Sequence, residues 1–198
     1  MNNKLVYLTS NPGKVEEANR HFVNRYGFNI EIKNPDFEVL EIQAKTCGEV
    51  AKFSAKYGAE KLGVPVLKSD TGVYVDYLGG LPGPYNAYFD KQLGVEKFLK
   101  MMEHVTNKED RKCRLEHTFA YCEPGQEPTL FQGGSTGTVS FESKGTRGRW
   151  HDFWFIPDGE SETLSELRSR DEMYEAKFWG TAIDDFAKWY SDKIKSSI

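Results

Sequence analysis

The sequence predicts an α/β protein, and three observations carry that expectation. Short apolar runs alternate with helix-period segments up to residue 70, and the second half turns to period-two alternation. With 38% hydrophobic and 28% charged residues, a chain of 198 residues is also long enough to bury a core as one domain spanning 1–198.

Each element has a local reason. Leu5-Val6-Tyr7-Leu8 is an apolar run closed by Thr9-Ser10-Asn11-Pro12-Gly13, so a buried strand ends in a turn. Val15, Ala18, Phe22, Val23 and Tyr26 then share a helix face that Gly27 stops, and Asn29 to Lys33 alternates as a strand. Thr46 with Glu49 three residues on caps a second helix, whose face Ala51, Ala55, Ala59 and Leu62 keep small up to Gly63. A strand from Val64 is expected to end at Ser69-Asp70-Thr71-Gly72. Leu115, His117, Phe119 and Tyr121 alternate, as do Val139 and Phe141, and Phe153 to Ile156 reads as a buried strand, so antiparallel strands extend the sheet. Ile183, Phe186, Ala187, Tyr190 and Ile194 place a last helix from about Thr181. No repeat or low-complexity linker interrupts the chain.

Thirty acidic against twenty-six basic side chains give a net charge of −4, which argues against a nonspecific nucleic-acid or membrane binder and for a small ligand. No run approaches the roughly 18 apolar residues of a membrane span, and Met1-Asn2-Asn3-Lys4 has no signal-peptide pattern, so a cytoplasmic location is expected. Cys47, Cys113 and Cys122 are odd in number and lack metal spacing, which predicts reduced thiols. Of the four scattered histidines, His151 alone falls in a candidate site segment.

The turn Thr9-Ser10-Asn11-Pro12-Gly13-Lys14 joins a strand end to a helix start. Backbone N–H groups, the helix dipole and Lys14 together suit phosphate, although the glycine spacing is not that of a P-loop; an ordinary helix cap with a solvated lysine is the alternative. Asp70 would face the same side of the sheet, beyond a strand's carboxyl end, and Glu41 follows the apolar Val39-Leu40. Carboxylates beside a phosphate site repel it unless a divalent cation lies between, which points to Mg²⁺ on oxygen ligands.

At these residues the chain resembles the inosine/xanthosine triphosphate pyrophosphatase family. The matching segments are Thr9-Ser10-Asn11 with Lys14, Leu40-Glu41-Ile42-Gln43, Pro65-Val66-Leu67 leading into Asp70-Thr71-Gly72, and Gly79-Gly80-Leu81-Pro82-Gly83-Pro84-Tyr85. Thr118-Phe119-Ala120, Phe131-x-Gly133-x-x-x-Gly137 and Pro157-Asp158-Gly159 with Thr163 and Glu166 follow in order, covering about residues 5 to 167. The resemblance implies a long curved mixed sheet flanked by helices, two lobes with a central cleft, and a homodimer. It further implies that Thr9, Ser10, Asn11 and Lys14 meet the phosphates with Thr71 and Gly72. Glu41 and Asp70 would place Mg²⁺, and Asp70, with Lys14, would serve the attack of water on the α-phosphorus.

The departures cluster at the base. The family's lysine on the helix before Asp70 falls at Ser54, with Lys52 and Lys56 a turn's reach away, and the acid preceding Asp70 is Ser69. The family's purine-reading Phe-Gly-Tyr/Trp-Asp-Pro segment corresponds to Arg149-Trp150-His151-Asp152-Phe153, so Asp152 alone is kept, with His151 beside it as a candidate contact. The Ser-His-Arg motif falls near Lys177-Phe178-Trp179, and its upstream lysine near Met173. Arg149, Arg168, Arg170 and Lys177 are candidates to replace lost phosphate contacts, and Trp150 and Trp179 either stack on a base or pack in the core. Unmatched polar edges are strongly penalised, so these changes predict altered base specificity.

Two rival readings exist. Asp70-Thr71-Gly72 is also the triplet of aspartic proteases, but those need two such aspartates and the chain has one triplet; pepstatin inhibition would favour it. A nucleotide-binding protein of the same fold with little or no catalysis is the other, against which stands the joint presence of Asn11, Lys14, Glu41 and Asp70.

Overall fold

The structure is a computed structural model that describes residues 5–33, 37, 42–170 and 174–196, with the backbone alone of Glu17, Lys33 and 174–180. The described elements are β1 (Leu5–Leu8), α1 (Pro12–Ala18), β2 (Ile30–Lys33), α2 (Cys47–Leu62), β3 (Val66–Val75), β4 (Pro82–Gly83), α3 (Asn86–Met101), β5 (Lys112–Cys122), β6 (Thr129–Val139), β7 (Phe155–Pro157), α4 (Leu164–Arg170) and α5 (Tyr174–Lys195). The strands form one seven-stranded mixed sheet in the order β2-β1-β3-β5-β6-β7, with β4 paired to β3. An α/β fold with a mixed sheet is therefore as expected.

β1 is parallel to both β2 and β3 and all four of its residues are buried, the reason it reads as an unbroken apolar run. Thr46 and Glu49 form the expected reciprocal cap on α2: Glu49 N donates to Thr46 Oγ1 at 3.2 Å and Thr46 N to Glu49 Oε2 at 3.0 Å. The alanine face then lies close on Val6, Leu8 and Val66. That approach is tight enough that a Cβ on Gly58 would stand 2.5 Å from Leu8 Cδ1.

Four expectations needed correction. The first helix is α-helical only to Ala18 and continues as a π-helix, Asn19–Arg25, before Gly27 at φ +67° ends it. The wider turn rotates Val23 out to 37% exposure while Phe22 packs edge-on against Phe119 and Phe186. Asp70 does not end its strand. The run Val73-Tyr74-Val75 carries β3 onward into an antiparallel pairing with β4 (Val73↔Gly83), so Asp70 is interior to ten strand residues. Its parallel partner β1 nevertheless stops at Leu8, opposite the residue after Leu67, which leaves Asp70 beyond the carboxyl end of β1. Downstream, Trp150–Phe153 is a 3₁₀ turn and the strand begins only at Phe155, because Asp152 caps that turn. Finally, α5 covers Tyr174–Lys195, so the helix is under way before Thr181, through the good helix formers Glu175, Ala176 and Lys177.

The chain divides into two compact units, Met1–Asp70 with Thr118–Gly133 and Thr181–Ile198, and Thr71–His117 with Gly134–Gly180. In the second, the buried Arg111 satisfies four backbone carbonyls, those of Met102, Val105, Val139 and Ser140, at 2.6–2.9 Å. Among the described residues, no helix is long and apolar enough to cross a membrane.

Candidate active site

In the first unit, the turn after β1 is organised by its own side chains. Thr9 is buried and its Oγ1 accepts from Asn11 N at 3.1 Å; Asn11 Oδ1 in turn accepts from Gly13 N at 2.9 Å and Lys14 N at 3.4 Å. Asn11 is thus the cap of α1, and its oxygen is committed to the backbone. Lys14 is not a solvated lysine. Its ammonium donates to the carbonyl of Ser69 at 2.8 Å, which sets a cation against β3 one residue before Asp70. Ser69 is fixed from the other side by Tyr7, whose phenol lies 2.6 Å from Ser69 Oγ inside the core. One carboxylate oxygen of Asp70, Oδ2, is buried. Thr9 and Ser10 also line a depression of about 610 Å³ with Pro12, Val15, Asn19, Ile30 and Ile32.

The second unit begins with Thr71 and Gly72, both buried, and the Thr71 hydroxyl has no hydrogen-bond partner among the described residues. Its other candidates are held together around Asp152. That carboxylate is fully buried; its Oδ2 accepts from Arg149 N at 2.6 Å and pairs with the Arg168 guanidinium. Gly148 makes room: at φ +131°, a Cβ there would meet Asp152 Oδ2 at 2.3 Å. Arg168 is delivered by α4, whose start is capped by Thr163 and Glu166, with Thr163 N donating to Glu166 Oε2 at 2.8 Å. Two motif residues singled out in the sequence therefore have a structural task.

His151 is 0% exposed. Burial, with Arg149, Arg168 and His117 nearby, pushes its pKa well below the usual histidine range, so it is neutral and its 3.3 Å approach to Asp152 is not an ion pair. Trp150 is buried against Phe98 and Trp154 at ring distances of 5.1 Å, which settles it as core. Arg168 is likewise enclosed with Asp152, while Arg170 is exposed and pairs with Glu162 at the surface. Asn86 was missed altogether. Its signal was a tryptophan N–H in need of an acceptor, and Asn86 Oδ1 accepts Trp150 Nε1–H at 2.7 Å.

Glu41 and Met173 lie outside the described residues, and Lys177, Phe178 and Trp179 fall where the backbone alone is described, in the first turns of α5. Cys47, Cys113 and Cys122 are buried and form no disulfide; burial pushes the Cys113 thiol up, away from reactivity.

The mixed sheet and the segments it carries are those of the Ham1 family, whose profile matches residues 5–189, and the chain belongs to that family. A Methanopyrus kandleri protein named dITP/XTP pyrophosphatase is 37% identical over 191 residues, 96% of this chain and 98% of that one. One of the same name from Methanosarcina acetivorans is 35% identical over 190 residues, again 96% and 98%. Among solved structures, the Ham1 proteins of Coxiella burnetii and Staphylococcus aureus share the fold, each at a TM-score of 0.79. They are 21% and 22% identical and match 96% of this chain and 98% and 99% of theirs.

Proposed function

We propose that the chain is a Mg²⁺-dependent nucleoside triphosphate pyrophosphohydrolase, which cuts noncanonical purine nucleotides such as inosine and xanthosine triphosphates to monophosphate and pyrophosphate. The observation that carries this reading is the Lys14 ammonium at 2.8 Å from the Ser69 carbonyl, a fixed cation beside Asp70. The names of the relatives at 35–37% identity support the same activity.

The donor set fits Mg²⁺. Asp70, which has one buried carboxylate oxygen, would hold the cation, with Glu41 assigned as the second carboxylate. Such sparse oxygen ligation suits an ion that keeps several waters and completes its shell with substrate phosphates. When bound, Mg²⁺ supplies charge neutralisation on the phosphate oxygens.

The protein's own groups do the rest. Lys14 and the side-chain amide nitrogen of Asn11 hold the phosphates, with Thr9, Ser10, Thr71 and Gly72 alongside. Asp70 accepts a hydrogen bond from the attacking water, orients it toward the α-phosphorus and takes its proton, and pyrophosphate leaves. Little covalent work is asked of the chain; positioning and electrostatics dominate. Asp152 shapes the base-reading segment from within, with His151 beside it, and Lys177 replaces a lost substrate contact. With the family's base-reading groups exchanged, the preference for inosine and xanthosine triphosphates is weaker than in its relatives.

The enzyme acts in the cytoplasm, where cysteines stay reduced, on nucleotides rather than nucleic acid. It works as a homodimer, for which Tyr77, Leu81, Tyr85 and Tyr88, exposed at 38–64%, supply apolar surface.

A screen of canonical and noncanonical nucleoside triphosphates with and without Mg²⁺, comparing wild type with Asp70→Asn, tests the reading. Pyrophosphate release that needs the metal and falls by about 10²–10⁴-fold in a folded Asp70→Asn variant is expected. A near-normal rate in that variant overturns the assignment.

A further inference from the structure

Asn86 opens α3 directly after the Gly79–Tyr85 segment and is 8% exposed. Its side chain faces two residues of the rebuilt base segment at once: Trp150 Nε1 stands 2.7 Å from Asn86 Oδ1, and His151 Nδ1 stands 3.5 Å from Asn86 Nδ2. An indole N–H only donates, so the atom facing it is the amide oxygen, and the orientation of the amide is fixed by chemistry. The amide NH₂ therefore points at His151 Nδ1, which must accept. The neutral ring carries a single proton, and with Nδ1 accepting, that proton lies on Nε2, which is buried 3.3 Å from Asp152 Oδ1 and makes no hydrogen bond among the described residues.

From this geometry we infer that Asn86 is a positioning residue for base discrimination: one amide pins Trp150, selects the Nε2–H tautomer of His151 and thereby sets the shape of the segment Arg149–Phe153. The inference rests on the nucleoside triphosphate reading above. Because the contacts of Asn86 are to Trp150 and His151 of the base segment, its loss redistributes activity among bases rather than slowing all substrates alike. The ratio of kcat/KM for two nucleotides does not depend on how much of a sample is folded, and a residue that merely supported the fold would leave that ratio unchanged.

Two variants test it. Asn86→Asp keeps an acceptor for Trp150 but offers His151 Nδ1 an acceptor instead of a donor, which moves the ring proton to Nδ1; Asn86→Ala removes both contacts and covers the case in which the buried charge of the first prevents folding. Ring-nitrogen NMR of histidine-labelled protein is expected to show Nε2–H at His151 in the wild type and Nδ1–H in folded Asn86→Asp. The kcat/KM ratio of inosine triphosphate to ATP is expected to shift by about tenfold in either variant. Wild-type protein with Nδ1–H, or ratios within about twofold of wild type in the folded variants, overturns the inference while leaving the hydrolase reading intact. Wild-type protein that releases no pyrophosphate from any triphosphate overturns the hydrolase reading, and this inference with it.

Discussion

Replacing Asp152 by Asn removes a charge and little else. The asparagine oxygen can still accept from Arg149 N, now at 2.6 Å from Oδ2, so the cap of the 3₁₀ turn survives in form. What is lost is the carboxylate charge paired with Arg168, whose side chain is 8% exposed against 0% for Asp152. Breaking a buried ion pair by removing one of its charges costs about 3–5 kcal/mol. For a chain of this length each kcal/mol lowers the melting temperature by about 2–4 °C, so a fall of roughly 6–20 °C is expected. Thermal melting followed by circular dichroism measures it, and 0.5 M salt should change the difference little because the pair is shielded from solvent. The double variant Asp152→Asn/Arg168→Met should be less destabilised than the sum of its two single variants, since the second substitution removes the other charge of the pair. A melting temperature for Asp152→Asn within 2 °C of wild type, or single-variant effects that simply add, would refute the reasoning.

Lys14→Ala should raise KM for triphosphates and lower kcat/KM by about tenfold or more, the loss of a charge-assisted contact to phosphate, with a melting temperature near wild type; steady-state kinetics on the folded variant decides it. For His151, folding suppresses protonation, so the unfolded chain binds the extra proton and stability falls as pH drops below the ordinary value of 6.5. The slope approaches about 1.4 kcal/mol per pH unit for one proton, among the neighbours Arg149, Arg168, Asp152 and His117. Urea titrations between pH 5 and pH 7 should therefore show a steeper loss in wild type than in His151→Gln, and equal slopes would contradict it.

What could be read from the sequence was what neighbouring residues decide. The cap at Asn11, the reciprocal pair of Thr46 with Glu49 and the buried run of β1 each depend on contacts a few residues apart, and they are where the spacing put them. The site around Asp152 was not legible in that way. Arg168 lies sixteen residues from its partner and Asn86 sixty-four from Trp150, so both contacts depend on the finished packing. Burial reversed the meaning of several residues. Arg168, Trp150 and His151 have side chains that suit a nucleotide, and enclosure gives the first to an ion pair, the second to the core and the third a suppressed charge. The strand expected to end at Ser69-Asp70-Thr71-Gly72 runs on because Val73-Tyr74-Val75 supplies the β-branched and aromatic residues that continue it.

The measurement that bears most directly on the central claim is hydrolysis in H₂¹⁸O with Mg²⁺ and inosine triphosphate, followed by mass spectrometry of the products. Attack of water on the α-phosphorus predicts one ¹⁸O in the nucleoside monophosphate and none in the pyrophosphate. Label in the pyrophosphate, or release of nucleoside diphosphate with inorganic phosphate, would contradict the account.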